Sequence, residues 1–597
     1  MARRDPAETI RAASPSGPRM IAHRLRDLSH LPRDLALARL GYDLKRPVFA
    51  LPIYRYSLTG VAPTALAATP PDPWPGDAGL GAEIVQGAFI FMGRRVVDPR
   101  PLWAPAGVEP GWLAELHGFA WLRDLRAAGG DSARRAAREL VGAWLDEHGR
   151  WSALAWDPLI GGRRLANWLG CYEFFAASAT IDYRHRLFRS MARQAQHLQR
   201  VLPAGLAGAD LIAALKGLIL AGVCLPGGEA WRRRGLAILE RELPRQVLPD
   251  GGHAERSPAR HLAVLRDLID LRAALHKAEA LSGGAQSGSR GGQTHDGQAG
   301  ALVALHAVIE RMAPALRMFQ HGDGGLALFN GANEDEGWRV DMVLQRAGGA
   351  RRPLTEAPES GFQRLRAGRT LVLIDSGAPP PPGLDTQAHA GTLGLEVSIG
   401  RERLFVSCGA RPGDPAWLRA QRATAAHSTL VLDDTNSSAL LDPAGLGRRA
   451  RVTRCRREDS EDETWLEVVH DGYVHGFGLI HRRRLYLSAD GTDLRGEDRL
   501  EPSRRGARGA AFAVRFHLHP DAQASLAQGG GAALLRLPKG GGWQLHATGA
   551  TLALEPSIYL GRCGEIRRSQ QVVLSGRCEP QGTRVKWALK RIERKRR

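Results

Sequence analysis

The sequence is poor in features that mark several specialised protein classes. Its 597 residues include six cysteines, and none forms a CxxC pair, so neither a zinc ribbon nor a disulfide scaffold is indicated. No apolar run reaches the roughly 18 residues of a membrane-spanning helix, which predicts no integral membrane span. The opening segment MARRDPAETIRAASPSGPRM lacks the apolar stretch of a secretory signal. A cytoplasmic location is therefore one expectation.

Acidic residues are scarce relative to basic ones. The chain has 82 Lys and Arg against 62 Asp and Glu, a formal net charge of +20. A field of that sign favours polyanionic partners, although genomic base bias can produce the same arginine-rich composition. No nucleic-acid-binding module is recognisable, and aromatic residues do not interleave a basic stripe, so no nucleic-acid partner is predicted. GxSxG, P-loop and HExxH motifs are also missing, which gives no sign of serine hydrolase, nucleotide or zinc-protease chemistry.

The hydrophobic pattern changes period once along the chain. From about 112 to 320, apolar residues recur at three- and four-residue steps, as in SARRAARELVGAWLDEH, which is typical of amphipathic helices. From about 360 to 595, short alternating runs such as TLVLID and GTLGLEVSIG are separated by turns, which is typical of strands. Helices joined by short links predict an (α/α) array or toroid, and strands without intervening helices predict an antiparallel β-sandwich.

These patterns predict a multidomain α and β protein with three parts. Residues 1–110 form a mixed N-terminal segment with an amphipathic helix and short strands. Residues 111–345 form the toroid, and residues 346–597 form the β-sandwich. The glycine- and serine-rich stretch 282–300 is predicted to be a disordered surface insert within the toroid.

Several motifs resemble the heparinase II/III family over roughly residues 105–580. They are WDPLIGGRRLANWLG (156–170), PDGGHAERSP (249–258), RMFQHGDGGLALFNGANE (317–334), AHAGTLGLEVSIG (388–400), RATAAHSTLVLDDTNSS (422–438) and DGYVHGFGLIHRRRLYLSADG (471–491). The resemblance implies an incomplete (α/α) toroid packed on an antiparallel β-sandwich, with a cleft between them. It also implies a polysaccharide lyase that acts on uronic-acid polymers such as heparan sulfate or alginate, in the cell envelope or periplasm.

Elimination across C4–C5 of a uronate sets three requirements. The C6 carboxylate must be neutralised, a base must remove the C5 proton, and an acid must protonate the leaving O4. The family carries a catalytic Tyr just before a His in the PDGGHAERSP loop, but here Arg260 precedes His261. The family's upstream Asn or His, which grips the carboxylate, is also missing, and Asp210 is the nearby acid.

The remaining motif residues are the candidate site. His253, Arg256, His389 and His427 are the candidate catalytic residues in this family-like set. Arg163 and Arg164 suit two-pronged recognition of a carboxylate, although together with Asn167 they would equally well cap a helix and hold a neighbouring loop. The candidate substrate-binding residues are Arg163, Arg164, Asn167, Glu255, Arg260 and His321.

The family's strand motif of His-x-His, Asp and a further His, which can hold a structural zinc, is only partly kept. The matching positions are Gln387, His389, Ser407 and His427. Two imidazoles and a hydroxyl make a poor set of zinc ligands. A structural zinc at His389 and His427 is one expectation. The other is that these histidines act as donors or as an acid and base near their ordinary pKa of about 6.5; no other cofactor is predicted.

Two functions from different classes follow. The first, which the extent of the resemblance and the retained loop and His427 motifs favour, is a lyase that cleaves uronic-acid-containing acidic polysaccharide by β-elimination. The second is a non-catalytic relative that binds acidic polysaccharide in the cell envelope, favoured by the replaced Tyr, amide and Asp positions. An acidic polysaccharide is the expected partner in both cases, and no oligomeric state is predicted.

Overall fold

The structure is a computed structural model that describes residues 30–58, 60, 63–283, 292–349, 352–411, 415–503, 507–527, 529–539 and 541–592. A helical toroid is followed by two packed antiparallel sheets, which confirms the predicted fold class. The predicted disordered insert 282–300 needs correction, because a helix begins at Gly292 and continues through Met318. Residues 284–291 of that insert lie outside the described residues.

The helices before the sandwich carry most of the buried apolar residues of the first half. They are α1 Arg33–Phe49, α2 Pro52–Ser57, α3 Ala78–Val85, α4 Pro110–Gly118, α5 Leu122–Ala128, α6 Gly130–Glu147, α7 Pro158–Gly170, α8 Tyr172–Phe175, α9 Ile181–Val201, α10 Gly208–Cys224, α11 Glu229–Gln246, α12 Pro258–Gly283, α13 Gly292–Met318 and α14 Gly337–Arg346.

Local sequence signals explain where several of these helices begin. The Asp157 carboxylate accepts hydrogen bonds from the amides of Leu159 and Ile160, so it caps α7 directly before Pro158. Thr180 caps α9 in the same way through the amide of Tyr183. Because these caps satisfy amides that a helix leaves unpaired, they fix the ends of two helices that line the toroid.

The described part of the N-terminal segment packs on the toroid instead of forming a core of its own. It contains α1 to α3 and a two-stranded hairpin, β1 Ala88–Phe91 and β2 Arg94–Val97. Trp74, Phe89 and Trp103 belong to the same buried cluster as the toroid helices. The helical body therefore extends back to about residue 49.

One described helical stretch, Gln298–Met318 in α13, is long and apolar enough to cross a membrane by length and composition alone. Leu305, Ile309 and Leu316 in this stretch are fully buried in the toroid core. Packing inside the toroid accounts for the apolar face of this helix. Its length and composition are therefore weak evidence for a membrane span.

The sandwich is built from two antiparallel sheets. One sheet has the strand order β14-β15-β16-β19-β12-β11-β10-β9, and the other β17-β18-β13-β7-β6-β5-β4-β3, with β8 also paired to β13. The strands are β3 Glu356–Ala357, β4 Phe362–Ala367, β5 Thr370–Asp375, β6 Leu395–Ile399, β7 Glu402–Val406, β8 Leu430–Leu432, β9 Val452–Asp459, β10 Glu463–His470, β11 Leu479–Ser488, β12 Asp493–Pro502, β13 Ala510–Leu518, β14 Gln523–Leu526, β15 Ala532–Arg536, β16 Gly542–Thr548, β17 Thr551–Tyr559, β18 Arg567–Cys578 and β19 Thr583–Arg591. Two short helices lie in its loops, α15 Pro415–Arg422 and α16 Val474–Phe477.

Strands β4 and β5 join the two bodies. Phe362, Leu371 and Leu373 belong to the toroid core, whereas Leu365 and Val372 point into the core between the two sheets. Alternation along a strand sends neighbouring side chains to opposite faces, so one hairpin contributes to both cores. The candidate site lies along this junction.

Candidate functional site

The loop between α11 and α12 is attached to the sandwich through Asp250. One carboxylate oxygen accepts a hydrogen bond from the amide of Gly252 at 2.9 Å. The other accepts from the amide and the hydroxyl of Ser360, at 2.7 and 3.0 Å. The segment leading into β4 therefore sets the position of the loop.

Arg256 fastens the same loop more deeply. Its Nε donates to the carbonyl of Ser360 at 2.6 Å, and its Nη2 donates to the carbonyl of Gly361 at 2.9 Å and to Oδ1 of Asp375 at 2.5 Å. The guanidinium lies 4.6 Å from the ring centre of Phe362, a cation–π contact. A backbone φ of 54° shows that these contacts hold an unfavourable conformation. The expected catalytic role of Arg256 is therefore corrected to a buried link between toroid and sandwich.

His253 is also placed away from solvent. Its side chain lies in the loop with 1% of the residue exposed, and Nε2 is 3.4 Å from Oε1 of Gln246. Burial, together with the positive charge of Arg260, lowers the pKa of His253 to about 3. A neutral imidazole enclosed in this way does not reach a sugar, so the expected catalytic role of His253 is corrected as well.

Two charged residues of the loop region and two of the neighbouring helices form one network, which we call the cleft cluster: Arg163, Asp210, Glu255 and Arg260. Arg260 donates to Oε2 of Glu255 through Nε at 2.8 Å and contacts Oδ1 of Asp210 through Nη2 at 2.8 Å. Arg163 lies 3.8 Å from the same Asp210 oxygen. The other Glu255 oxygen accepts from the amide of Ala209 at 2.6 Å, near the start of α10.

Tight packing holds the cleft cluster in place. A Cβ on Gly208, whose φ is +57°, would stand 2.0 Å from Oε1 of Glu255, so only glycine permits this approach. Burial alone would lower the pKa of Arg260, but Glu255 and Asp210 outweigh burial and raise it above its ordinary value. Asp210 and Arg163 keep about a third of their side-chain surface exposed, so the cluster reaches solvent.

Arg164 and Asn167 lie inside the toroid, which corrects their expected contact with substrate. Arg164 is fully buried, with its guanidinium 4.0 Å from the ring centre of Trp144 and hydrogen bonds to Gln194 and to two main-chain carbonyls. Asn167 donates to the carbonyl of Gly118 at 2.7 Å and accepts from a second buried arginine. The contacts of Arg164 and Asn167 with main-chain carbonyls support the structural role, that of holding neighbouring segments in place. Arg163 alone of the three belongs to the cleft cluster.

The sandwich histidines form a chain of hydrogen bonds that begins at the loop. The amide of Asn330 donates to the carbonyl of Arg256 at 2.8 Å, and its oxygen accepts from the backbone N–H of His389 at 3.0 Å. Nδ1 of His389 lies 3.1 Å from Nε2 of His427, and Nδ1 of His427 lies 3.1 Å from the hydroxyl of Ser407. His389 and His427 are therefore directly linked, as their shared motif positions suggest.

Burial decides the protonation of both histidines. Only 4% of His389 and 2% of His427 is exposed. Burial, with His427 and Arg422 nearby, lowers the pKa of His389 well below its ordinary value. Burial and His517 lower the pKa of His427 to about 3. Both rings are neutral near pH 7 and enclosed by protein, so their expected role as a cleft acid and base lacks access to substrate.

The same surroundings do not fit a zinc ion. Zinc in proteins takes three or four nitrogen, sulfur or carboxylate ligands. The third polar group next to His389 and His427 is the hydroxyl of Ser407. Within the part of the chain that the structure describes, no group of three or more His, Cys, Asp and Glu residues is arranged to hold a metal ion.

His321 belongs to a second buried polar group on the other side of the junction. Its Nε2 lies 2.9 Å from Oε2 of Glu396, and its Nδ1 lies 3.0 Å from the hydroxyl of Ser398. The other Glu396 oxygen accepts from the amides of Leu328 and Ser407. His321 is thus mainly a partner of the sandwich, although its edge borders a separate pocket near the β4–β5 turn.

Sequence reasoning did not single out three of the residues that organise this junction. They are Asn330, Asp375 and Glu396, all of them buried. Glu396 and Asp375 carried a usable signal, because a charged residue at an inward position of an apolar strand needs a buried partner. Asn330 lies within the quoted FNGANE segment, but the residues that it joins, Arg256 and His389, are distant in sequence.

The cleft cluster does not provide what elimination from a uronate requires. Where the family has a tyrosine that exchanges protons, Arg260 has a guanidinium that stays protonated and can only donate hydrogen bonds. In the segment 206–218, where the family has an Asn or His that grips the sugar carboxylate, this chain offers Ala and Gly, and the nearby Asp210 presents a carboxylate of the same sign. Arg260 and Asp210 contact each other and neutralise each other's charge, so an entering uronate would compete with Asp210 for Arg260.

Comparison with known families supports the resemblance over both bodies. The family model described as "Heparinase II/III N-terminus" matches residues 142–283. The model described as "Heparinase II/III-like, C-terminal" matches residues 349–588. The first match covers the cleft cluster, and the second covers nearly the whole sandwich.

Individual proteins resemble the chain over nearly its whole length. "FtsZ-localized protein C" from Caulobacter vibrioides is 34% identical over 577 residues, which cover 93% of this chain and 95% of that protein. The crystal structure of heparinase III has a TM-score of 0.68 at 14% identity and matches 90% of this chain and 89% of its own. The heparan sulfate lyase HepC from Pedobacter heparinus has a TM-score of 0.56 at 16% identity and matches 96% of this chain and 93% of its own. At such low identities the two structures establish a shared fold.

Proposed function

This chain belongs to the heparinase II/III family, and on that premise we propose that it binds acidic polysaccharide without cleaving it and localises with FtsZ. The observation that carries the proposal is the ion pair between Arg260 and Asp210 at 2.8 Å. Arg260 stands where the resemblance places the family's proton-exchanging tyrosine. Asp210 lies in the segment 206–218, where the family's carboxylate-gripping Asn or His is missing. A lyase with this pair would have neither a proton-transfer group nor a free carboxylate clamp.

The histidines of the sandwich do not replace the missing groups in this proposal. A general base must approach to hydrogen-bond distance of the proton that it removes. His389 and His427 are almost completely enclosed, and their nitrogens that face each other are 3.1 Å apart. We assign both to the structure of the junction, which leaves the lyase activity expected from the resemblance without an acid or a base.

Binding without cleavage still has support from charge and fold. The chain carries a formal net charge of +20, which attracts acidic polymers over long distances. Arg163 is one of the partly exposed cations of the cleft cluster. Heparinase III, which shares the fold, is named for heparin, and acidic polysaccharide is the matching class of ligand.

The part of the proposal that concerns FtsZ comes from a single relative. A protein named "FtsZ-localized" is 34% identical over almost the entire length of both chains, so its position in the cell is a reasonable one to propose here. The envelope or periplasmic location implied by the wider family is the competing proposal. Microscopy of a tagged chain together with labelled FtsZ distinguishes the two: a shared band supports the proposal, and a uniform peripheral signal contradicts it.

Size-exclusion chromatography tests binding and cleavage together. The protein is incubated with heparan sulfate or alginate, and the elution of both components is followed over time. We expect polymer and protein to co-elute, and the polymer recovered after removal of the protein to keep its original length. A polymer that becomes shorter, or a protein that never co-elutes with any acidic polymer, contradicts the proposal.

A further inference from the structure

A second basic site lies on the junction, apart from the cleft cluster. It is a pocket of about 420 Å³ between the end of α13, the start of α14 and the β4–β5 and β6–β7 turns. Four arginines line it, against one carboxylate; they are Arg317, Arg364, Arg366 and Arg369, with Asp341 as the acid. We call it the arginine pocket.

Strand alternation explains why the arginines gather there. Arg364 and Arg366 are two residues apart on β4, so their side chains leave the same face of the sheet, while Leu365 between them enters the sandwich core. That face meets the end of the toroid. Arg364 lies at the floor of the pocket, where its Nη1 donates to the carbonyls of Met318 and Gln320 at 2.7 and 2.8 Å.

The positive charges of the arginine pocket are not balanced by ion pairs. Across the described residues, the side chains of Arg317, Arg366 and Arg369 have neither a carboxylate within ion-pair distance nor a hydrogen-bond acceptor. Arg364 is hydrogen-bonded to carbonyls only. Burial and the neighbouring Arg366 lower the pKa of Arg364 to about 10, the direction expected where like charges accumulate. An anion would relieve this repulsion.

Arg369 lies at the rim, close to the adjoining turn. A Cβ on Gly400, whose φ is +61°, would stand 2.7 Å from Nη2 of Arg369. The guanidinium therefore lies against bare backbone between β6 and β7, and a larger residue at position 400 would displace it. The exposed Arg369 thus lies at the edge of the pocket.

The other lining groups narrow the class of ligand. Asp341 accepts a hydrogen bond from Nε2 of Gln320 at 3.0 Å, which puts a carboxylate and an amide beside the arginines. Such groups pair with hydroxyls, whereas guanidinium groups pair with oxyanions. The larger apolar side chains among the described lining residues are Leu371 and Pro353. A lining with so few apolar groups does not suit an apolar ligand. The volume is within the ordinary range for small-molecule sites.

We propose that the arginine pocket binds an acidic sugar, with its oxyanion held by Arg364, Arg366 and Arg369 and its hydroxyls facing Asp341 and Gln320. The oxyanion is the carboxylate or sulfate of a polysaccharide unit, or the phosphate of a sugar phosphate. This site goes beyond the proposed function, because no residue of the cleft cluster lines it. The arginine pocket would bind an acidic sugar whether or not polysaccharide binds at the cleft cluster.

Calorimetric titration of the full chain tests the proposal. The probes are a heparin-derived tetrasaccharide, glucose 1-phosphate, inorganic phosphate and neutral maltotetraose, all at one ionic strength. We expect at least one acidic sugar to bind more tightly than inorganic phosphate, and maltotetraose not to bind. The better of the two acidic sugars identifies the source of the oxyanion. Equal or tighter binding of inorganic phosphate overturns the assignment to a sugar.

Matched variants locate the binding. Arg366→Gln with Arg369→Gln should weaken the acidic sugar about tenfold or more, because charge-assisted contacts are lost from an exposed rim that does not support folding. Arg135→Gln with Arg233→Gln removes the same charge from exposed positions elsewhere and should leave affinity within about twofold. An equal loss of affinity in both double variants overturns the assignment of binding to the arginine pocket. A loss confined to an Arg163→Gln variant also overturns it, while leaving the proposed function of the cleft intact.

Discussion

Replacing Arg256 by methionine tests how the toroid is held on the sandwich. Methionine keeps an unbranched stem against Phe362 but removes the guanidinium. Three donated hydrogen bonds are lost, to the carbonyls of Ser360 and Gly361 and to the carboxylate of Asp375. We expect the junction to be strongly destabilised, since these contacts join the loop between α11 and α12 to the sandwich.

The size of the effect follows from the burial of both ionic partners. The side chains of Arg256 and Asp375 are each 6% exposed, and their charged atoms are 2.5 Å apart. Without the guanidinium, Asp375 keeps one main-chain hydrogen bond, from the amide of Gly377 at 3.3 Å. Breaking a buried ion pair by removing one partner costs about 3–5 kcal/mol. We therefore expect a loss of that order in the free energy of unfolding.

Guanidinium denaturation followed by tryptophan fluorescence and circular dichroism measures this loss and shows whether toroid and sandwich still unfold together. Arg256→Met combined with Asp375→Asn should recover much of the loss, because no unpaired charge remains buried. Arg135→Met is the control, since Arg135 is exposed and has no ion-pair partner in the described chain. If Arg256→Met were no more destabilising than this control, the buried link would be refuted.

Three further predictions concern packing, pH and thiol exposure. Gly208→Ala should lower the free energy of unfolding by about 2 kcal/mol or more in denaturant titration, because its Cβ would stand 2.0 Å from Glu255; an unchanged midpoint would contradict this. His427 has a pKa of about 3 when folded, owing chiefly to burial, against about 6.5 when unfolded, so stability should fall by about 1.4 kcal/mol per pH unit for this group as the pH drops from 6.5 towards 3. His427→Gln should remove this contribution, the uptake of one proton on unfolding, from the pH dependence of stability. An unchanged pH dependence would mean that the ring is protonated in the folded protein. Cys455 and Cys563 should react with a maleimide in the native protein, whereas labelling of the other cysteines should need denaturant.

The fold could be predicted from the sequence because it depends on periodicity. Apolar residues at three- and four-residue steps and at alternate positions are local signals, and they located the toroid and the sandwich. The helix from Gly292 was missed because glycine and serine around it favour a loop locally, while packing of α13 in the toroid decides the outcome.

The site was less predictable because burial depends on residues that are distant in the chain. Arg163 and Arg164 are adjacent in one motif and equally suited to a carboxylate, yet one reaches the cleft and the other is enclosed beneath Trp144. Helix geometry turns neighbouring side chains by about 100°, but sequence alone does not show which direction faces the core. Arg260 and Asp210 were recognised as departures from the family, and only the structure shows that they contact each other.

Ultraviolet absorbance during incubation with a panel of uronate polymers tests the central claim most directly. Elimination creates an unsaturated uronate that absorbs near the ultraviolet edge, so the signal reports the reaction itself. Arg260 replaces the proton-exchanging tyrosine and is paired with Asp210, and the carboxylate-gripping Asn or His is missing, so we expect no increase with any polymer. A sustained increase that disappears in an Arg260→Ala variant would contradict it.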